Sequence, residues 1–201
     1  MRNIILASAS GIRLKILNDF GFNVKVEVAN IDEDEIKNSL LAEKFSSFDI
    51  SRALAETKSK KISSKINDQI VLGADQVLDL EGKIFSKPDN MELAVSLLNR
   101  LSGKKHSLFS SICLSKNGST IWMHTEQVVL KMKKLSDNFI KDYLQKIGLE
   151  TIKKYGVYQI EGAGKDLFED IIGDEYSVMG MPIKQLINYY KVNEKIGRAH
   201  V

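Results

Sequence analysis

The chain has 201 residues, 43% hydrophobic and 27% charged, which is typical of a globular protein with a substantial core. Its apolar runs fall short of the roughly 20 residues that a membrane span needs, and no signal peptide is recognisable. The net charge is only +3 and the lysines are interleaved with acids, so nucleic-acid binding has only the pI of about 8.8 in its favour. We expect a cytoplasmic protein that binds neither nucleic acid nor membrane.

The single cysteine and the C-terminal residues carry no function in this interpretation. Cys113 excludes an internal disulfide and lies in the apolar run 111–114, which indicates a small buried hydrophobe rather than a nucleophile. Residues 196–201 read like the translation of a sequencing adapter, so we interpret them as a non-native tail. Residues 1–195 are then predicted to form a single domain.

The first half of the chain mixes predicted strands with helices. Its predicted elements are a buried strand at 3–7, a helix at 11–20, a strand at 22–28, an acidic loop at 32–35, a helix at 51–63, a strand at 69–79 and a short strand at 83–86. The helix at 11–20 repeats Ile12, Ile16 and Phe20 on one face, and the helix at 51–63 begins near Asp49 or Ser51 as its cap.

The second half is dominated by a predicted hairpin. Its predicted elements are a helix from the cap at 87–90 to Leu101, a long hairpin at 106–132, a helix at 136–146, a glycine-rich segment at 155–164 and helices near 165–172 and 183–191. Asn117-Gly118 is a strong hairpin-turn signal. Because an antiparallel hairpin lies among alternating strands and helices, the sequence predicts an α/β fold with a mixed, partly antiparallel sheet and flanking helices.

A first polar cluster follows the first strand. Two hydroxyls, Ser8 and Ser10, precede Gly11 and Arg13 at the start of a helix. Backbone N–H groups at a helix N-terminus, hydroxyls and a guanidinium together suit a phosphate. Ser10 as an ordinary helix cap explains the same residues, so both interpretations stay open. The pattern is not that of a Walker-type P-loop.

A second polar pair interrupts an apolar strand. Asp75 and Gln76 lie between Ala74 and Val77, where a buried strand favours apolar side chains. An ionised carboxylate in a core strand is costly unless a cation, a metal or hydrogen-bond donors accompany it. A carboxylate at a frayed strand end is the alternative. Because Asp75 lies in the middle of the pattern, we favour a functional role.

Two lysines and one glutamate are further candidates. Lys58 lies in the helix at 51–63, Lys87 precedes Pro88, and Glu161 is followed by Gly162. Most lysines are solvated surface charges, and a glutamate beside glycines can be an exposed turn residue. Composition and spacing alone do not raise these three residues above that interpretation.

Read in order, the short motifs carry a more specific signal. They are Ser8-x-Ser10 with Arg13, Asp32-Glu33, Lys58, Gly73-Ala-Asp75-Gln76-Val, Lys87-Pro88, Leu101-Ser-Gly-Lys-Lys-His106, Tyr158-Gln-Ile-Glu161-Gly-x-Gly and Gly180-Met-Pro182. This combination, from Ile4 to about Tyr190, resembles the Maf family of nucleoside triphosphate pyrophosphatases. The resemblance implies two lobes around a deep cleft and cleavage of a triphosphate between its α- and β-phosphates, which gives a monophosphate and pyrophosphate.

The resemblance also implies a role for each candidate. Asp75 would accept the proton of water, Glu33 and Asp75 would hold a divalent cation, Mg²⁺ or Mn²⁺, and Lys58 and Lys87 would neutralise charge. The triphosphate site would be lined by Ser8, Ser10 and Arg13. His106 would be structural, and a homodimer is possible because dimers occur in the family.

The substrate base is less certain because the chain departs from the family pattern. The family's usual Ser-Pro-Arg-Arg is Ser10-Gly-Ile-Arg13 here. Gln76 and Glu161 resemble the branch that hydrolyses 7-methyl-GTP, and a carboxylate can accept from both donors of a guanine edge. That branch has an aromatic residue where this chain has Ile12, which cannot stack on a cationic base. The substrate base therefore stays open, with guanine favoured.

A nucleotide-binding regulator of septum formation, without turnover, is the alternative from another functional class. Such a protein would need the phosphate site but not a buried base. The presence together of Glu33, Lys58, Asp75 and Lys87 favours an active enzyme.

Overall fold

A seven-stranded mixed sheet forms the centre of the computed structural model, which describes residues 2–198. Its strands are β1 (Arg2–Leu6), β2 (Phe22–Val26), β3 (Val71–Leu80), β4 (Lys83–Phe85), β5 (Lys105–Lys116), β6 (Ser119–Met132) and β7 (Phe168–Ile172). The order is β2-β1-β3-β5-β6-β7, with β4 paired to β3. The β1 strand runs parallel to β2 and β3, and the other pairs are antiparallel. The predicted mixed α/β fold is confirmed.

Helices flank this sheet. They are α1 (Gly11–Asp19), α2 (Glu33–Ala42), α3 (Ser47–Ser63), α4 (Met91–Leu101), α5 (Asp137–Ile147), α6 (Leu149–Tyr155), α7 (Glu175–Val178) and α8 (Ile183–Arg198), with a 3₁₀ turn at Ala163–Leu167. Within residues 2–198, none of the helices has the length and apolar character that crossing a bilayer requires. The predicted tail at 196–201 extends beyond the described residues.

Two hydrophobic clusters lie at the two ends of the sheet. The smaller one packs α1 and α8 against β1 and β3, and includes Leu6, Leu17 and Leu186. The larger one packs α4 and α5 against β5 and β6, and includes Leu98 and Leu130. Cys113 is buried in β5, as expected of a small hydrophobe.

The edge of β3 that faces β1 is incompletely paired, and this opening creates the site. The opposite edge of β3 pairs continuously with β5 over residues 71–79. On the open edge, β1 pairs only with Val71 and Leu72, and β4 pairs only with residues 78–80. Among the described residues, 73–77 therefore have no neighbouring strand on this side. Asp75 and Gln76 lie in this unpaired stretch.

The predicted acidic loop at 32–35 was wrong, because α2 begins there. Asp32 is the helix cap, and its carboxylate accepts from the Glu35 N–H at 2.9 Å. Asp followed three residues later by Glu is a capping-box pattern, and acids in a first turn complement the helix dipole. Only a narrow stripe of α2, with Ile36 and Leu40, packs against α3, so its apolar periodicity was weak.

Other observed elements also differ from the predicted ones in their type or bounds. The predicted helix at 165–172 is the 3₁₀ turn followed by β7, because residues 168–172 pair with the free edge of β6. The α3 helix begins four residues before the proposed Ser51 cap, with the Ser46 hydroxyl accepting from the Asp49 N–H at 3.1 Å. The short helices α6 and α7 were not predicted.

Candidate active site

A polar cavity of about 1600 Å³, counting the space open to solvent, lies against the unpaired stretch of β3. Nine of the ten residues proposed from the sequence line it: Ser8, Ser10, Ile12, Arg13, Glu33, Lys58, Asp75, Gln76 and Lys87. They come from β3, from the loop after β1, from the N-termini of α1 and α2, from α3 and from the loop after β4. The fold thus brings together side chains that are as many as 79 positions apart in the printed sequence.

Arg13 closes the unpaired edge of β3. Its Nη1 donates to the Ala74 carbonyl at 2.9 Å and to the Ser8 hydroxyl at 3.2 Å, and its Nε donates to the Gly180 carbonyl at 3.0 Å. The guanidinium therefore satisfies backbone carbonyls that no strand reaches, while its charge faces the cavity. Ser10 is the cap of α1, with its hydroxyl accepting from the Arg13 N–H. The capping interpretation holds, and Ser10 also lines the cavity.

Lys58 joins two carboxylates at the cavity floor. Its Nζ lies 2.7 Å from Asp75 Oδ1 and 2.8 Å from Glu33 Oε1. Asp75 is 5% exposed and Lys58 6%, whereas the Glu33 side chain is 45% exposed. The ion pair offsets part of the cost of taking both charges out of water, and loss of either partner would leave a buried charge uncompensated. Glu33 stays open to a ligand or an ion.

Gly73 allows this arrangement. A Cβ atom at residue 73 would lie 2.0 Å from the Ala55 carbonyl oxygen and 2.7 Å from the Ser59 nitrogen, both in α3. Only glycine permits so close an approach of the helix to the strand. The approach brings Lys58 over Asp75, two residues further along β3.

Burial shifts the proton affinity of the charged groups. Burial raises the pKa of Asp75, while Lys58 and Arg13 oppose that shift. Burial also lowers the pKa of Arg13 and of Lys87, and the neighbouring Arg13 charge lowers that of Lys87 further. A carboxylate whose pKa is raised is a better proton acceptor than an exposed one, and such shifts cluster at functional sites.

Lys87 spans the cavity from the loop after β4 to helix α6. Its Nζ donates to the Lys154 carbonyl at 2.7 Å, in the last turn of α6. The opposite wall carries Lys37, whose Nζ donates to Asp34 at 2.9 Å and to the Ser86 hydroxyl at 3.3 Å. Both lysines line the cavity, and their partners lie on its rim.

A second cavity, largely apolar, adjoins the first and measures about 750 Å³ including its open mouth. Its apolar walls include Leu78, Leu97, Leu108, Val157, Tyr158, Ile160 and Val178. Glu161 lies at this apolar cavity and not at the polar one, and Ile12 and Gln76 line both. The two cavities also share Phe85, Ser86, Lys87, Tyr155 and Met179. All ten residues proposed from the sequence therefore line one continuous cleft.

Gln76 is held firmly at the junction of the two cavities. Its side-chain nitrogen donates to the Ser110 hydroxyl at 2.8 Å and to the Ser177 and Val178 carbonyls at 3.0 and 2.9 Å. Glu161 is exposed, and its carboxylate accepts from the Gln159 amide at 3.4 Å. The Gln76 amide is thus fixed by three acceptors at the junction, and the exposed Glu161 carboxylate lies at the apolar cavity.

A profile of the Maf-like protein family matches residues 3–192. The chain belongs to the Maf-like family. One Maf relative, from Pelagibacter ubique, is 48% identical over 96% of this chain and 98% of its own length, and is named nucleoside triphosphate pyrophosphatase. Another, from Bartonella quintana, is 41% identical over 92% of each chain and is named 7-methyl-GTP pyrophosphatase. The predicted family is confirmed, and relatives with either name occur at similar identity.

The solved structure of the Staphylococcus aureus Ham1 protein aligns with this Maf chain at a TM-score of 0.42 and 20% identity. It covers 65% of this chain and 72% of that one.

Sequence reasoning did not find several residues of the Maf cleft. They are Asp34, Lys37, Ser86, Lys154, Tyr155 and Met179. The signal that could have found Lys37 is its place one helical turn after Glu33, on the same face of α2. That signal was lost when this segment was interpreted as a loop.

Proposed function

We propose that this chain hydrolyses a nucleoside triphosphate between its α- and β-phosphates, releasing a monophosphate and pyrophosphate. The observation that carries the proposal is the buried Asp75–Lys58 pair on the floor of a cation-lined cavity that continues into an apolar one. A triphosphate matches the polar part and a base the apolar part. The names of the related proteins support the same reaction.

In this scheme Asp75 is the general base. A water oxygen bonds to the phosphorus beside the α–β bridge, the bridging P–O bond breaks, and the water proton moves to Asp75. Lys58 keeps Asp75 ionised before the reaction, and Arg13 and Lys87 balance the charge on the phosphates. Positioning and charge neutralisation of this kind dominate phosphoryl-transfer catalysis.

A divalent cation, Mg²⁺ or Mn²⁺, fits the donor set. Within residues 2–198, no group of three acidic, histidine or cysteine side chains converges on one point, so we assign the cation to two carboxylates, Glu33 and Asp75. Mg²⁺ is commonly held by one or two carboxylates together with substrate phosphates and waters. When bound, the cation would supply Lewis-acid stabilisation of the phosphate charge.

For the base we propose guanine, with Glu161 accepting from its two edge donors. Glu161 and Gln76 face the base end of the cleft, and Ile12 lies between the cavities without a ring to stack on a methylated base. GTP and 7-methyl-GTP are therefore the first substrates to compare. We also propose that the protein acts in the cytoplasm, where nucleotides are plentiful, and that the reaction requires no nucleic-acid or membrane partner.

The decisive experiment incubates the purified protein with GTP, 7-methyl-GTP, ATP, UTP and dTTP, with Mg²⁺ or Mn²⁺, and measures pyrophosphate. Release of pyrophosphate with the monophosphate is the expected result. Tight nucleotide binding without release would support the nucleotide-binding regulator of septum formation. Light scattering of the same sample tests the expected homodimer.

A further inference from the structure

His106 is a buried histidine beneath the apolar cavity, and the proposed reaction does not use it. It is the second residue of β5 and is 2% exposed. Its Nε2 lies 2.8 Å from the Tyr158 hydroxyl, and its Nδ1 is buried with no hydrogen-bond partner among the described residues. Burial lowers the pKa of His106 to about 4, so the ring is neutral at physiological pH. Buried polar atoms without partners are rare in native proteins.

The orphaned Nδ1 indicates where the imidazole proton lies. A neutral imidazole has one N–H and one bare acceptor nitrogen. A buried N–H without an acceptor is rarer than an under-used acceptor. We therefore assign the proton to Nε2, which donates to the Tyr158 oxygen, and leave Nδ1 of His106 unprotonated. All the hydrogen bonding of this ring is then directed at one hydroxyl.

Tyr158 contacts the sheet and also lines the apolar cavity. Its ring packs edge-on against Phe168 of β7, with centroids 4.9 Å apart, and the His106 ring lies 6.0 Å from the same Phe168 ring. Tyr158 itself lines the cavity, as do its chain neighbours Gln159 and Glu161. The aromatic cluster therefore connects β5 and β7 to the segment that carries the proposed base reader.

The segment 156–162 is anchored by apolar burial of Val157 and Ile160 in the larger hydrophobic cluster, but few hydrogen bonds fix its backbone. It contains no helix or strand, and its internal backbone bond runs from the Gly162 N–H to the Gln159 carbonyl at 3.2 Å. Gly164 packs tightly on it, since a Cβ there would lie 2.5 Å from the Gln159 nitrogen. Between residues 2 and 198, the bond from His106 to Tyr158 is the one hydrogen bond that ties this segment to the sheet.

We propose that the hydrogen bond between His106 and Tyr158 positions the base-contacting segment 156–162, and thereby sets which nucleotide base the cleft accepts. His106 is a positioning residue in this account, because it acts through Tyr158 and touches no substrate. Without the bond, the segment shifts against β5 and Glu161 no longer meets the base edge at a fixed place. This inference rests on the proposed pyrophosphatase function.

Steady-state kinetics of four variants test the inference: Tyr158→Phe, His106→Leu, the double variant and His106→Gln. The first two remove the bond, and Tyr158→Phe does so by losing a single oxygen atom. We expect the ratio of kcat/KM for GTP to that for UTP to fall about tenfold in each, mainly through KM, as for loss of one buried hydrogen bond. The double variant should lose no more than either single one, since all three lack the same bond.

Two comparisons separate positioning from general destabilisation. His106→Gln places an amide donor near the former Nε2 and should restore most of the ratio. Ser115→Ala removes another fully buried bond, between the Ser59 and Ser115 hydroxyls at 2.8 Å, away from both cavities. It should lower the melting temperature without changing the ratio of GTP to UTP.

Three results would overturn the inference: an unchanged ratio in folded Tyr158→Phe, an equal loss for all nucleotides, or the same change of ratio in Ser115→Ala. Tyr158→Phe keeps the test valid if His106→Leu fails to fold. A wild-type protein that releases no pyrophosphate from any triphosphate would instead contradict the proposed function, so the two failures are distinguishable.

Discussion

The two cavities of the cleft share seven residues at their boundary and differ in the rest of their lining. The polar cavity is lined by charged side chains that fix one another, as Lys58 does for Glu33 and Asp75. The apolar cavity is lined by core residues and by a segment without regular structure that ends at Glu161. Charges in fixed positions suit the phosphates, which every nucleotide shares. The segment 156–162 is positioned by other contacts, and it suits recognition of the base, which differs between nucleotides. Changes in the polar cavity should alter all rates alike, and changes in the apolar cavity should alter preference.

Asp75→Asn should have the largest effect. The amide keeps the shape of the side chain but cannot accept a proton, so kcat should fall about 10²–10⁴-fold for every nucleotide. Calorimetry should still detect nucleotide binding. Because burial raises the pKa of Asp75, the wild-type rate should also decline as the pH falls through that pKa and the base becomes protonated.

Asp79→Asn is the matched control for this substitution. Asp79 lies in the same strand, accepts from the Ser47 hydroxyl and lines neither cavity. It should keep a normal rate. Near-normal turnover in folded Asp75→Asn would move the general base elsewhere, with Glu33 as the next candidate.

The second prediction concerns pH and stability. His106 has a pKa of about 4 when folded against an ordinary value of 6.5. Folding favours the neutral ring, so His106 does not reduce the free energy of unfolding above pH 6.5. Between pH 6.5 and 4 the unfolded chain binds a proton that the folded one does not, and the free energy of unfolding falls. The loss is up to about 3 kcal/mol. Urea unfolding at several pH values measures the free energy of unfolding, which should depend less steeply on pH in His106→Leu than in the wild type.

An NMR titration of His106 with a midpoint near 6.5 would contradict this prediction. It would mean that water reaches the aromatic cluster beneath the apolar cavity. The apolar cavity would then no longer differ from the polar one in its access to solvent.

Glu161→Gln should change preference by a smaller amount. If the carboxylate accepts from two guanine donors as proposed, its replacement should cost GTP and 7-methyl-GTP roughly 1–3 kcal/mol in kcat/KM. UTP and dTTP should lose little or gain, because an amide can both donate and accept. Glu169→Gln, an exposed glutamate in β7 beside Lys131, is the control. A uniform drop across all four substrates would remove Glu161 from base recognition.

Lys37→Gln should have the smallest effect. The Lys37 side chain is 17% exposed and shares its charge with Asp34, so it contributes modestly to phosphate binding. We expect KM to rise about two- to fivefold for all bases, in the range of a partly exposed ion pair. Lys15→Gln, from the exposed pair with Asp19, should leave KM unchanged. A KM that rose for some bases and not for others would contradict the assignment of Lys37 to phosphate binding in the polar cavity.

Local patterns along the chain were enough to predict the sheet, the family and the most unusual site residue. Strand periodicity, the Asn117-Gly118 turn and the mixing of strands with helices predicted the sheet, and the motif order predicted the family. Asp75 was recognisable because a charge inside an apolar strand violates the rule that buried strands are apolar. Signals of this kind are local, and a local pattern can be read without knowing what packs beside it.

The way in which these elements meet depends on contacts between distant parts of the folded chain. Residues 168–172 form a strand because the edge of β6 is free to pair with them, and helical and extended alternatives looked alike in so short a segment. Arg13 fills a gap that exists because β1 and β4 leave part of β3 unpaired. The contact between His106 and Tyr158 joins residues 52 positions apart. Such contacts depend on which surfaces the folded chain brings together, and no window of the sequence contains both partners.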